Sequence, residues 1–216
     1  MARKKRQGSK SVKALSAAYA ALQSEVERRV DSKKGEGAFQ NAVARLVSFH
    51  STEWFSTCLA DRMSGAIPDP LGREEKLVEI VEPWIEQPAV AFITGNGTTA
   101  SALGLSKVVA PPSPLRELGC YLFGLEVLGD SLHKVDIGAF KTIVCIDVLK
   151  KQAERFGIVG FLAELTKEMK SGSKLIIVDS ISYQDDAVEN LVALDFEIHE
   201  LKSVGANRLV ALLAER

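Results

Sequence analysis

The segment Ile93-Thr-Gly-Asn-Gly-Thr-Thr99 carries the residue types and spacing most suited to chemistry. It closes a short apolar run, Ala89 to Ile93, and leads into the helix-forming stretch Ala100 to Leu105. A continuous apolar run is how a buried parallel strand reads, and glycines let the backbone turn sharply and come close to a ligand at a helix start. The chemistry implied is the cradling of a nucleotide-type cofactor by backbone groups. A Gly-Asn-Gly turn has that meaning only within a strand, helix, strand series, so the neighbouring elements decide it.

Those elements are legible after Pro88, where short apolar runs alternate with helical segments in an α/β pattern. The runs predict strands at 89–94, 107–110, 125–128, 142–146, 174–179, 196–202 and 208–214, with helices near 99–105, 114–123, 152–170 and 185–194. In the 152–170 helix, Ile158, Leu162, Leu165 and Met169 share one face, and Ser171-Gly172 provides a glycine stop. The last two strands are separated by a loop short enough for an antiparallel hairpin. Upstream the texture is helical. Val12, Leu15, Tyr19, Leu22, Val26 and Val30 recur at three- and four-residue spacing, a second apolar pattern runs from Phe39 to Met63, and a third helix is expected at 73–85. Residues 1–13 therefore read as a basic, disordered tail, 14–87 as a helical cap and 88–216 as an α/β domain.

With 216 residues, 46% hydrophobic and 25% charged, the chain has the composition of a globular protein with one sizeable core. No apolar run approaches the roughly 20 residues that span a bilayer. The basic start has no apolar run behind it, and three scattered cysteines make no disulfide framework, so an intracellular and most simply cytoplasmic setting is expected. Net charge is −1, but residues 1–13 hold six Lys or Arg and no acid, which leaves −7 on the rest. Such a tail can neutralise phosphates of RNA or of a ribonucleoprotein, or can simply be a solvated leader. The oligomeric state is not legible.

The order of elements resembles that of class I S-adenosylmethionine-dependent methyltransferases from Pro88 to Arg216. Ile93-Thr-Gly-Asn-Gly-Thr-Thr99 looks like the family's glycine loop, and Leu128-Gly-Asp-Ser131 like the Gly-Asp after its third strand. Phe140 to Leu149 looks like the fourth strand and its loop, and Leu165 to Asp179 like the long helix, its turn and the fifth strand. The resemblance implies a seven-stranded Rossmann-like methyltransferase sheet with helices on both faces, ending with an antiparallel strand inserted in the sheet. It implies S-adenosylmethionine as cofactor, with Gly95, Asn96, Gly97 and Thr98 beside its methionine part, Asp130 and Ser131 at the adenine, and the methyl directed toward Ile146 and Asp147.

Some positions depart from that pattern. The position two before Gly95, usually an acid, is Ile93; the third glycine is Thr99; and Val109-Ala-Pro-Pro-Ser113 offers no carboxylate for the ribose. Each lost charge-assisted hydrogen bond of about 1.5–3 kcal/mol weakens binding on the order of 10- to 100-fold, unless Ser113, Glu117 or Thr94 substitutes. Asp147 could orient a methyl acceptor or act as its base, and equally reads as a loop carboxylate. Asp147 with Asp179 is reminiscent of metal-dependent O-methyltransferases, but Ser180 stands where they carry Asn, and two oxygen ligands define no metal site.

His50, His133 and His199 have no ligand spacing. Cys58, Cys120 and Cys145 lack a flanking base. Trp54 and Phe55 fall at core spacing with Val47, Leu59 and Met63. Two functions stay open: an active methyltransferase acting on RNA, protein or a small molecule, and a methyltransferase-like domain without catalysis that serves as a binding or scaffold subunit. The retained glycine loop and Gly-Asp favour the first; the missing acids favour the second.

Overall fold

The computed structural model describes residues 52–65, 75–150, 157–204 and 209–216. The basic tail and the first expected helix lie outside the described residues. In chain order the elements are α1 (Thr52–Met63), α2 (Glu75–Val81), β1 (Ala89–Ile93), α3 (Thr98–Ala102), β2 (Lys107–Val109), α4 (Pro114–Leu122), β3 (Glu126–Gly129), β4 (Thr142–Ile146), α5 (Gly157–Lys167), β5 (Lys174–Ser180), α6 (Gln184–Ala193), β6 (Glu197–Val204) and β7 (Leu209–Glu215). All seven predicted strands are present, each within two residues of its expected ends. The helix expected at 73–85 is α2 followed by a single 3-10 turn at Glu82–Trp84, because Pro83 cannot donate the hydrogen bond that would prolong an α-helix.

The chain divides into two compact units, one holding α1 and Pro112–Gly124, the other α2, the stretch through Pro111, and Leu125–Arg216. In the first, Cys58, Leu59, Leu118 and Leu122 are buried, and the Arg62 guanidinium lies 5.1 Å from the centroid of the Tyr121 ring.

The second unit is a seven-stranded sheet in the order β3-β2-β1-β4-β5-β7-β6. β1 to β5 are parallel, and β7 runs antiparallel between β5 and β6. Every residue of β1 and β4 is buried, which a strand covered on both faces requires and which their uninterrupted apolar sequences supply. On one face Val90, Phe92, Ile143, Cys145, Leu175 and Ile177 join a core with Ile158, Phe161, Leu162 and Leu165 of α5 and Ala187 and Leu191 of α6. The alternate residues Ala91, Ile93, Val144, Ile176 and Val178 point the other way and are buried too. Thr142, the polar member of β4, uses its hydroxyl oxygen to accept the Glu86 N–H at 2.9 Å. The edge strand β6 is charged and largely exposed, which discourages pairing with another chain.

α5 ends at Lys167, earlier than the expected 170. The Arg216 guanidinium donates to the carbonyls of Thr166 and Met169, taking up acceptors that a further helical turn would have used. Among the described residues no helix is long and apolar enough to cross a membrane.

Leu162 has no exposed surface, whereas Val192 on α6 is 57% exposed. Leu162→Ala is expected to cost roughly 2–5 kcal/mol in urea unfolding, and Val192→Ala within about 0.5 kcal/mol. Comparable losses at both positions would refute this placement of the core.

Candidate functional site

The strand order fixes where a ligand can sit. From β1 the chain moves outward to β2 and β3, and from β4 it moves the opposite way, so the connections leaving β1 and β4 part company and open a crevice at the carboxyl ends of these strands.

The turn after β1 forms one wall, and its two glycines do different work. Asn96 Oδ1 accepts from the Thr98 N–H at 3.1 Å and from the Thr98 hydroxyl at 2.8 Å, which closes the turn on itself and starts α3. Gly97 has φ +85°, and a Cβ there would stand 2.6 Å from Leu125 Cδ1. Gly97 is thus required by backbone conformation and by packing beneath the turn. At Gly95 a Cβ would meet only Asp147 Oδ2, at 3.8 Å. Gly95 is the open face of the turn, where a ligand can approach the backbone.

The loop after β4 forms the facing wall. Asp147 is exposed and adopts φ +54°, a left-handed conformation that Asp tolerates better than most residues. Its N–H donates to the Val178 carbonyl at 3.0 Å, and its carbonyl accepts the Thr94 hydroxyl. Asp179, at the end of β5, is 5% exposed and accepts from the Leu149 N–H through Oδ2 and the Ser180 N–H through Oδ1, both at 2.8 Å. Burial pushes its carboxyl above the usual range, against the pull of backbone hydrogen bonds from Leu149, Ser180 and Val148. Both oxygens are therefore engaged by the backbone, and among the described residues no group of three or more His, Cys, Asp or Glu converges as metal ligands would.

Between the two walls and α5 lies a cavity of about 620 Å³, within the usual size of small-molecule sites. Thr94, Pro111, Asp130 and Ser131 line it where the strands end, and Leu132, Val148 and Phe161 give it apolar walls. The hydrogen bond and charge of Lys134, whose Nζ lies 2.9 Å from Asp130 Oδ2, hold the Asp130 carboxyl below its usual range. Asp130 is then an ionised acceptor throughout the neutral range. The Asp130 carboxylate and the Thr94 and Ser131 hydroxyls, with His133 and Glu164 also in the lining, set hydrogen-bonding groups beside apolar walls, which suits a ring system bearing hydrogen-bond donors.

Of the residues singled out from sequence, Asp130 and Ser131 line this cavity. Gly95, Asn96, Gly97 and Thr98 form the adjoining turn, Ile146 is buried at the end of β4, and Asp147 stands against Gly95. The Asn96 side-chain oxygen is taken by the Thr98 N–H and hydroxyl. Sequence reasoning put Pro111 at the ribose position but missed His133, Phe161 and Glu164 as lining residues. Phe161 and Glu164 flank the Ile158, Leu162, Leu165 stripe on α5, and their relation to that stripe was the available signal.

The remaining candidates do not converge on the crevice. His199 is on β6, 3.6 Å from Glu215; the three cysteines are buried and form no disulfide, with burial raising the Cys145 thiol far above its normal range. His50 and the side chains of Trp54 and Phe55 lie outside the described residues.

Solved methyltransferases share this fold. The 16S rRNA methylase RmtB is 14% identical, with 90% of this chain and 88% of that one covered and a TM-score of 0.51. An O-methyltransferase family 2 protein from Planctomyces limnophilus, in complex with apigenin, is 13% identical over 88% of this chain and 65% of that one, with a TM-score of 0.51. The mitomycin 7-O-methyltransferase MmcR is 16% identical over 92% of this chain and 67% of that one, with a TM-score of 0.50. No protein-family model matches the sequence, and no curated protein matches it. The second unit has the Rossmann-like fold of class I S-adenosylmethionine-dependent methyltransferases.

The division of labour between the glycines is testable by denaturant unfolding. Gly97→Ala should destabilise by roughly 2 kcal/mol or more, through its positive φ and the overlap with Leu125, while Gly95→Ala should stay within about 0.5 kcal/mol. Equal effects at the two positions would show that the turn is built otherwise.

Proposed function

We propose that this chain is an S-adenosylmethionine-dependent methyltransferase and that the crevice at the carboxyl ends of β1 to β4 holds the cofactor. The observation that carries this reading is the 620 Å³ cavity, which brings Asp130 and Ser131 together with Thr94 beside the glycine turn. In this reading Asp130 accepts from the amino group of the adenine, Pro111, Leu132 and Val148 flank the ring, and the open backbone at Gly95 lies along the methionine part. When bound, the cofactor supplies a methyl group activated for direct displacement. Much of the rate then comes from holding the acceptor in line, and Asp147, exposed beside Gly95, orients it and takes a proton where the acceptor must lose one.

A specific observation also supports a second reading, a methyltransferase-like domain that binds a partner without catalysis. Ile93 and Pro111 line the crevice at positions where the family carries carboxylates. Calorimetric titration with S-adenosylmethionine and S-adenosylhomocysteine separates the two. We expect binding that weakens on the order of tenfold in Asp130→Ala with an unchanged melting temperature, and tightens by about tenfold in Pro111→Glu, which restores an acceptor at the end of β2. No heat at millimolar ligand with folded protein would leave the second reading.

The acceptor class we favour is RNA. The basic segment 1–13 supports it, and the 16S rRNA methylase RmtB matches over most of both chains. Removing residues 1–13 should flatten the salt dependence of RNA binding, since each lost phosphate contact reduces the slope by about 0.7–0.9. An unchanged slope would exclude the tail as a phosphate-binding arm.

A further inference from the structure

We propose that Asp179 is a positioning residue: its buried carboxylate holds the loop 147–149 in the shape that makes the crevice able to bind ligand. This rests on the cofactor reading above. Asp179 sits one strand away from the crevice, on the same face of β5 as Leu175 and Ile177, and none of its oxygens lines the 620 Å³ cavity. It acts through the chain that follows β4. One carboxylate oxygen takes the Leu149 N–H and the other takes the Ser180 N–H, both at 2.8 Å, so the loop after β4 is fastened to the end of β5.

The loop needs fastening. Asp147 turns it through a left-handed conformation, which costs a non-glycine residue free energy and persists only where neighbours enforce it. The enforcing contacts come from both sides. On the β1 side the Thr94 hydroxyl donates to the Asp147 carbonyl, and on the β5 side the Val178 carbonyl and the Asp179 carboxylate receive the N–H groups of Asp147 and Leu149. Between these anchors sits Val148, which is 2% exposed and walls the cavity, while Leu149 packs in a separate small hollow with Ile177, Tyr183 and Leu212. The anchors together span the ends of β1, β4 and β5. Releasing one lets the loop relax at Asp147, which displaces Val148 from the wall and the Asp147 carboxylate from its place beside Gly95.

A carboxylate suits this post because it offers acceptors on both oxygens and no donor. An amide of the same shape keeps one acceptor and turns an NH2 toward a backbone N–H. Asp179→Asn is therefore a nearly isosteric test. The measurements are S-adenosylhomocysteine affinity by calorimetry well below the melting temperature, and backbone amide exchange at Val148, Leu149 and Ser180, with circular dichroism confirming the fold. Asp179→Ser serves as a second variant if Asn fails to fold.

We expect faster exchange at Leu149 and a loss of affinity on the order of tenfold, the equivalent of one charge-assisted hydrogen bond. Thr94→Val should lose affinity as well, and the double variant should lose less than the two effects combined, because both anchors hold the same loop. A merely structural aspartate would lower the melting temperature and leave the affinity of the folded protein untouched; that result would overturn the proposal, as would unchanged amide exchange in a folded variant. If the wild-type protein binds no S-adenosylhomocysteine, the cofactor reading falls. Amide exchange then still judges whether Asp179 fixes the loop, because it needs no ligand.

Discussion

The constraint on which this structure depends is that its central strands are buried on both faces. β1 and β4 have no exposed residue, and β5 is interrupted only at its ends. A strand so placed can carry almost nothing but apolar side chains, since an unpaired polar group there would cost several kcal/mol. All ligand chemistry is thereby displaced to the loops at the strand ends, and the strand order decides which loops part to make room. Asp179 marks the limit of this rule. It is the last side chain of β5 deep enough to be buried, and it is tolerated because backbone N–H groups satisfy both of its oxygens.

The same constraint explains which parts of the fold could be found from sequence. Val90, Ile143 and Ile177 lie in uninterrupted apolar runs bounded by turn residues, so the strands were found within two residues of their ends. Helix ends were less legible, because they are set by contacts from far along the chain. No local signal at Lys167 announces that Arg216 will take the carbonyls of Thr166 and Met169. Pro83 is a local signal for the end of α2, although the helix expected from sequence runs past it to 85.

The candidate site was legible in its loops and illegible in its depth. Gly95, Gly97, Asp130 and Asp147 fall in turns that follow strands, so their proximity at one end of the sheet follows from strand order. The cavity's inner wall does not. Phe161 and Glu164 reach it because α5 is rotated to bury Ile158, Leu162 and Leu165, and the rotation of a helix on a sheet is decided by packing over its whole length. The role of Asp179 was also hidden. From sequence it was only reminiscent, with Asp147, of the paired acids of metal-dependent O-methyltransferases and defined no metal site, and nothing there pointed to its hydrogen bonds with the backbone of the neighbouring loop.

The two residues that replace expected acids differ in what they do to the crevice. Ile93 is only 2% exposed, and its Cδ1 lies 3.7 Å from where a Gly97 Cβ would be, so it packs beneath the glycine turn. With Leu125 below and the Asn96 to Thr98 hydrogen bonds above, that packing fixes the turn before any ligand arrives. A ligand then loses a carboxylate contact but meets a turn whose ordering cost has already been met by folding, and the second effect offsets part of the first. Pro111 cannot stand in for the missing carboxylate, because its side chain offers no acceptor to a ribose. On the cofactor reading proposed above, the contact missing for a nucleoside therefore lies at the end of β2, while the turn after β1 keeps its shape by a different means.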